Sequence, residues 1–219
     1  MATDLPRTAR GRQTRERLLT AARTVFEKKG FIDTRVADIC AEAGLAHGTF
    51  YIYFQTKDDV FYALVDMVIA DRYLITAVPD DFGGTVADRF AYTLRQYFAE
   101  IQRSGRFSRI IEQVATIDEA MRENRMKIRR KFQQRIQHGI ERVQKQGLAD
   151  PDISAELTAE AIVAMVSNFA YINVSLGQRK DLDIDQAVTT LTSIYARAIG
   201  LDPAEAGAYG ARPPSRRTQ

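Results

Sequence analysis

The side chains best suited to contact another molecule lie between Arg35 and Phe54, in RVADICAEAGLAHGTFYIYF. His47, Thr49 and Tyr51 carry an imidazole and hydroxyls, and Ile52 an apolar branch. Such groups on one side of a helix can meet base edges and thymine methyls. Leu45, Phe50 and Phe54 mark the opposite, buried side. Lys57 follows at the start of the next helix, where an ammonium beside exposed N–H groups can hold a phosphate. Catalysis has no comparable set. The two histidines, His47 and His138, lie far apart, and there is no metal-ligand cluster, phosphate-binding glycine loop or nucleophile motif. The sequence therefore predicts neither an enzyme nor a cofactor or metal site.

The elements that position these groups follow from periodicity. Val36, Ile39, Cys40 and Ala43 recur at helical spacing, with Thr34 before them as a capping hydroxyl. Gly44 ends that helix because it tolerates the left-handed conformation of a sharp reversal. Leu45 pins the turn, and a second helix runs on through Gly48 to Phe54. Two short helices hinged at a glycine make a helix-turn-helix, the unit that lays its second helix in the DNA major groove. Upstream, Arg7, Arg10, Arg12, Arg15 and Arg17 stand against one acid, Glu16, a net +4 in eleven residues where phosphate contacts would be wanted. Arg12 from that block, Arg35 at the start of the motif and Gly48 in its second helix join the candidate DNA-contacting set.

The chain reads as all-α, with nine helices and no strand signal. Residues 1–12 form a basic flexible arm and 13–55 the helix-turn-helix domain, whose first helix spans Thr14 to Lys29, with Phe31 and Ile32 dropping into its core. Residues 56–84 supply a connecting helix, opened by a Thr56–Asp59 capping box, and a loop. Residues 85–199 form a second helical domain, in which Ser104-Gly105 separates two helices. Residues 200–219 read as a disordered tail. The helix from Ser154 to Leu176 is apolar nearly all round, which suggests one face in the core and the other against a second copy. The run Arg125, Lys127, Arg129, Arg130, Lys131, Arg135 reads as a solvated face. Cys40, the single cysteine, reads as a small buried apolar residue. No apolar run approaches bilayer length and no signal peptide is present, so a cytoplasmic protein without membrane contact is expected.

With these residues quoted, the chain resembles the TetR/AcrR family of bacterial transcriptional regulators. The likeness rests on Gly44-Leu45-Ala46-His47-Gly48-Thr49-Phe50-Tyr51-Ile52-Tyr53-Phe54, then Thr56-Lys57-Asp58-Asp59, with Ala21-Ala22, Phe26, Gly30-Phe31 and Ile39-Cys40-Ala41 upstream. It covers about residues 12–72. Ala46 and His47 depart from it, because the family often has serine and lysine there. The resemblance implies phosphate contacts for Tyr53 and Thr34 as for Lys57, and a C-terminal domain that binds a ligand and pairs its last two helices across a twofold axis. Phe90, Tyr97, Phe107, Ile111 and Phe169, with Asn168 and Asn173 as polar anchors, are the candidate ligand contacts. Met165, Ile172, Val188, Leu191 and Tyr195 are the candidate dimer contacts. The implied function is a homodimeric repressor released from a palindromic DNA operator by a small effector, hydrophobic or acyl-CoA-like. A DNA-binding architectural protein or activator without a ligand is the alternative.

Overall fold

Every regular element among residues 8–210, which the computed structural model describes, is helical. Helix α1 (Ala9–Lys29) starts five residues before the expected Thr14. The Thr8 hydroxyl caps it by accepting the Gly11 N–H (3.1 Å), while Thr14 bonds back to the Arg10 carbonyl inside the helix. Residues 9–12 of the expected flexible arm are thus helical, and residues 1–7 lie outside the described range. Helix α2 (Val36–Ala43) ends at Gly44, whose φ of 61° and ψ of 40° are left-handed, and α3 (His47–Tyr53) follows at once. Helix α4 (Lys57–Ile75) opens on a reciprocal box: Asp59 accepts the Thr56 N–H, and Thr56 Oγ1 accepts the Asp59 N–H.

A single helix, α5 (Val86–Ile117), runs straight through Ser104-Gly105, where a break was expected. Ser104 is buried and its hydroxyl donates to the Glu100 carbonyl, so it reinforces the helix. One glycine costs only about 1 kcal/mol in a helix, less than the burial of Ile101, Phe107 and Ile110 around it returns. Asp118 caps α6 (Glu119–Lys145), accepting the Met121 N–H and the Tyr62 hydroxyl on one oxygen. Helix α7 (Ala155–Ala170) continues as a π-helical turn, Tyr171–Ser175, and α8 (Ile184–Ala198) is capped by Asp183.

Nine α-helices stand among the described residues, but the ninth, α9 (Pro203–Ala206), falls where a disordered tail was expected. Leu201 and Ala206 are buried, the Asp202 N–H donates to the Leu148 carbonyl, and Glu205 accepts the Val86 N–H. Residues 211–219 lie outside the described range.

The helices form two compact units. One unit holds the chain up to Asp71 together with Arg106–Arg125. Its core gathers Leu18, Phe26, Ile39, Phe50, Phe54, Phe61, Phe107 and Met121. Phe61 packs edge-on to Phe26 (5.3 Å) and lies 5.6 Å from Phe107. The other unit, from Arg72–Gly105 and Met126 onward, is built on Leu94, Phe98, Ile140, Val188 and Leu191, with Phe90 stacked on Tyr195 at 3.9 Å.

One helical stretch, Ala155–Ser175 at mean hydropathy 1.3, is long and apolar enough to cross a membrane, against the expectation that none is. Length and composition of this kind also describe a helix packed between protein surfaces.

Candidate nucleic-acid interface

Helix α3 sorts its side chains by spacing. Phe50 and Phe54 are buried, whereas His47, Gly48, Tyr51 and Ile52 form one exposed face at i, i+1, i+4 and i+5. Ile52 is 74% and Tyr51 51% exposed. The His47 ring stands edge-on to Tyr51 at 5.3 Å. Thr49 and Tyr53 are half-buried, and Tyr53 packs against the core. Ala46 offers no side-chain cap; its carbonyl accepts the Thr49 N–H at 2.9 Å in a tight first turn.

Lys57 is held within the chain. Its ammonium donates to the carbonyls of Phe31 (2.8 Å), Ile32 (3.0 Å) and Thr34 (3.2 Å) and lies 4.6 Å from the Phe31 ring centroid. An ammonium has three protons, and all three are used. Lys57 therefore locks the 31–34 turn to the start of α4. Thr34, expected to cap α2, does not: it is 2% exposed and its hydroxyl donates to the Gly30 carbonyl at 2.6 Å. Arg35 is the N-cap residue instead. Its N–H donates to Asp38, whose carboxylate also accepts from Lys29 at 2.7 Å. The Lys29 hydrogen bond, followed by that of the Arg35 N–H, holds the Asp38 carboxyl below the usual range. Ile32, expected in the core, is 73% exposed because the lock holds its carbonyl inward and its side chain outward.

The arginine block divides in two. Arg17 donates to the Ala43 carbonyl at 2.7 Å, closing the C-terminus of α2. Arg15 lies over the Phe54 ring at 5.2 Å. Arg12, one turn earlier on the same face of α1, is exposed, as is Arg10, and Arg7 is outside the described residues. Sequence reasoning missed the holding roles of Arg15 and Arg17, since their partners are 39 and 26 positions away. Cys40 is buried among apolar neighbours, and burial pushes its thiol pKa up.

The candidate ligand contacts are shared between the cores of both units. Phe107 and Ile111 belong to the core of the first unit, while Phe90, Tyr97 and Phe169 pack in the second, where Phe98 lies edge-on to Phe169 at 6.0 Å. Asn168 is exposed, and the Asn173 amide is spent on the Phe169 carbonyl at 2.9 Å. Among the candidate dimer contacts, Val188, Leu191 and Tyr195 are at most 5% exposed within one chain. They face the core, leaving only half-buried Met165 and Ile172 available to a second copy. The apolar or small residues that do face outward on α7 and α8 are Leu157, Ala161, Ala164, Ile194 and Ala198.

Residues 18–64 match the family model for bacterial regulatory proteins of the tetR family. The chain is 40% identical over 57 residues to the HTH-type transcriptional regulator YdgC of Bacillus subtilis, a match covering 26% of this chain and 29% of that protein. It thus spans under a third of that curated relative's length. A longer match reaches the HTH-type transcriptional repressor BepR of Brucella suis, at 24% identity over 80% of this chain and 87% of that one. The solved SmeT–triclosan complex shares the fold, with a TM-score of 0.73 at 20% identity, covering 92% of this chain and 98% of that one. The matched segment is the one built above, from the buried face of α1 through the glycine hinge and the exposed face of α3 to α4, and over it the chain is similar to the bacterial regulatory proteins of the tetR family.

Proposed function

We propose that the chain is a homodimeric, sequence-specific DNA-binding repressor that a small molecule releases from a palindromic operator. The observation that carries this is the exposed His47, Gly48, Tyr51, Ile52 face of α3, solvent-facing side chains on a helix whose other side is fixed in a core. These four residues would read base edges, with Thr49 at the margin, while Arg10, Arg12 and Arg35, all exposed, meet phosphates. Lys57 and Thr34 serve the contact indirectly, by holding the turn that starts α2. The similarity to BepR supports repression as the direction of control.

Dimerisation uses the outward faces of α7 and α8. Leu157, Ala161 and Ala164 follow one another at helical spacing, and small residues permit close approach of a second pair of helices. Ile194 adds an apolar contact, 42% exposed in one chain. Such a twofold pair would cover the apolar surface of Ala155–Ser175 and set two α3 helices against half-sites about 34–36 Å apart or a multiple of that. The effector would lie in the apolar interior of the second unit near Tyr97 and Phe169. Its release mechanism runs through α4, whose first residue holds the 31–34 turn, so a shift of that helix would tilt α2 and α3. The cytoplasm is the compartment such a regulator works in.

Selection of duplexes from a random library with the full-length protein tests the reading. A roughly palindromic consensus is expected, altered by His47→Ala or Tyr51→Ala. Recovery of no consensus would overturn it.

A further inference from the structure

A cleft of about 380 Å³ opens in the second unit, lined by Tyr73 at the end of α4 and by Lys131, Gln134, Arg135, His138, Gly139 and Arg142 of α6. Lys131, Arg135, His138 and Arg142 fall at i, i+4, i+7 and i+11, one stripe of the helix. We propose that this cleft binds a small organic polyanion, a phosphate ester or a polycarboxylate, at a site separate from the apolar interior. The inference does not depend on DNA binding.

Charge is the first argument. No lining residue is acidic. Among the described residues, Lys131, Arg135 and Arg142 form no ion pair, whereas Arg125 on the same helix is paired with Glu112. Between residues 125 and 145 there are eight lysines and arginines against Glu141, which accepts instead from Gln137 at 2.8 Å. Like charges one turn apart repel by a few tenths of a kcal/mol per pair, and an anion bridging them removes that repulsion.

Arg135 supplies the built part of the site. Its guanidinium donates to the Tyr73 carbonyl (2.9 Å) and Thr76 Oγ1 (2.7 Å), and lies 4.5 Å from the Tyr73 and 5.2 Å from the Phe132 ring centroid. These contacts hold the group in one orientation while two of its five N–H groups are used, leaving a fixed fork for a carboxylate or phosphate. Burial lowers its pKa, the sign of a cation without a nearby counter-charge. Gly139 is the second structural sign. A helix-interior glycine costs about 1 kcal/mol relative to alanine, yet a Cβ here would meet nothing within 4 Å. Packing within the chain does not require this glycine, and its missing side chain widens the cleft between His138 and Arg142.

Calorimetric titration of the full-length protein with pyrophosphate, and separately with citrate, at constant ionic strength tests the site. One saturable site per chain is expected for pyrophosphate, citrate or both. Pyrophosphate alone identifies a phosphate ester as the ligand class, citrate alone a polycarboxylate, and both a site that recognises charge and spacing. Lys131→Gln with Arg142→Gln should weaken binding at least about tenfold, because two charge-assisted contacts are lost. Arg129→Gln with Arg130→Gln makes the same change in net charge off the stripe and should weaken it less than about twofold. Gly139→Ala should weaken binding without lowering the melting temperature, which separates occlusion of the cleft from misfolding. Absence of saturable binding of either probe up to about 10 mM would overturn the proposal. Equal losses from the two charge pairs would overturn it too. So would competition by duplex DNA together with an equal loss of DNA affinity in the Lys131→Gln, Arg142→Gln variant, since the cleft would then be a nucleic-acid surface.

Discussion

Lys57→Ala tests whether this residue is a structural lock or a phosphate anchor. The substitution removes three hydrogen bonds from an ammonium to backbone carbonyls, at 2.8, 3.0 and 3.2 Å, and a cation–π contact with Phe31. A hydrogen bond to a charged group contributes about 1.5–3 kcal/mol when buried, but this ammonium is half-buried, and water can replace part of each bond. A net loss of about 2–4 kcal/mol follows, a large share of the stability of a domain this size. With about 2–4 °C per kcal/mol for a chain of this length, the melting transition should fall by roughly 4–16 °C. Circular dichroism suits the measurement, because the chain has no tryptophan. Lys57→Met keeps the aliphatic stem and should lose nearly as much. DNA affinity, measured across a range of salt concentrations, should fall with the slope of log K against log salt unchanged. A lysine on a phosphate would instead reduce the steepness of that slope by about 0.9 per contact. Unchanged stability with a shallower slope would refute the lock and restore Lys57 as a phosphate anchor.

Gly48→Ala should stabilise the free protein by about 0.5–1 kcal/mol, since a Cβ there meets nothing within 4 Å, while weakening DNA binding if the backbone approaches the duplex closely. Stability and affinity rising together would count against that close approach. Ala161→Glu, on the outward face of α7, should leave the fold intact and shift sedimentation from dimer to monomer; a dimer of unchanged affinity would place the interface elsewhere. Tyr62 donates to Asp118 at 2.8 Å, and burial, then this bond, pushes its pKa up to about 12. A folded pKa above the unfolded value of about 10 means the contribution is full below pH ~10 and lost as pH rises towards 12. Tyr62→Phe should therefore be less stable than the parent at neutral pH and show a smaller alkaline loss above pH 10; parallel curves would argue against it.

What the amino-acid order determined alone is whatever depends on neighbours within about one helical turn. Gly44 had to be the hinge because a left-handed residue must end α2, and its φ of 61° is that conformation. The Thr56–Asp59 box and the alternation of Phe50 and Phe54 with Tyr51 and Ile52 were legible for the same reason: caps and helical faces are local geometry. Tertiary structure decided what each exposed-looking or apolar side chain was for. Lys57 reads as a free cation until the chain folds three carbonyls from 23–26 positions away onto its ammonium. Ser104-Gly105 reads as a break until burial on both sides outweighs a small local preference. Val188, Leu191 and Tyr195 form an apolar stripe whose period shows that it is covered, but not by what; only packing showed that the cover is the chain's own core. Periodicity records that a surface is hidden from water, and the identity of the partner is a long-range fact that burial free energy, being non-directional, does not write into the local sequence.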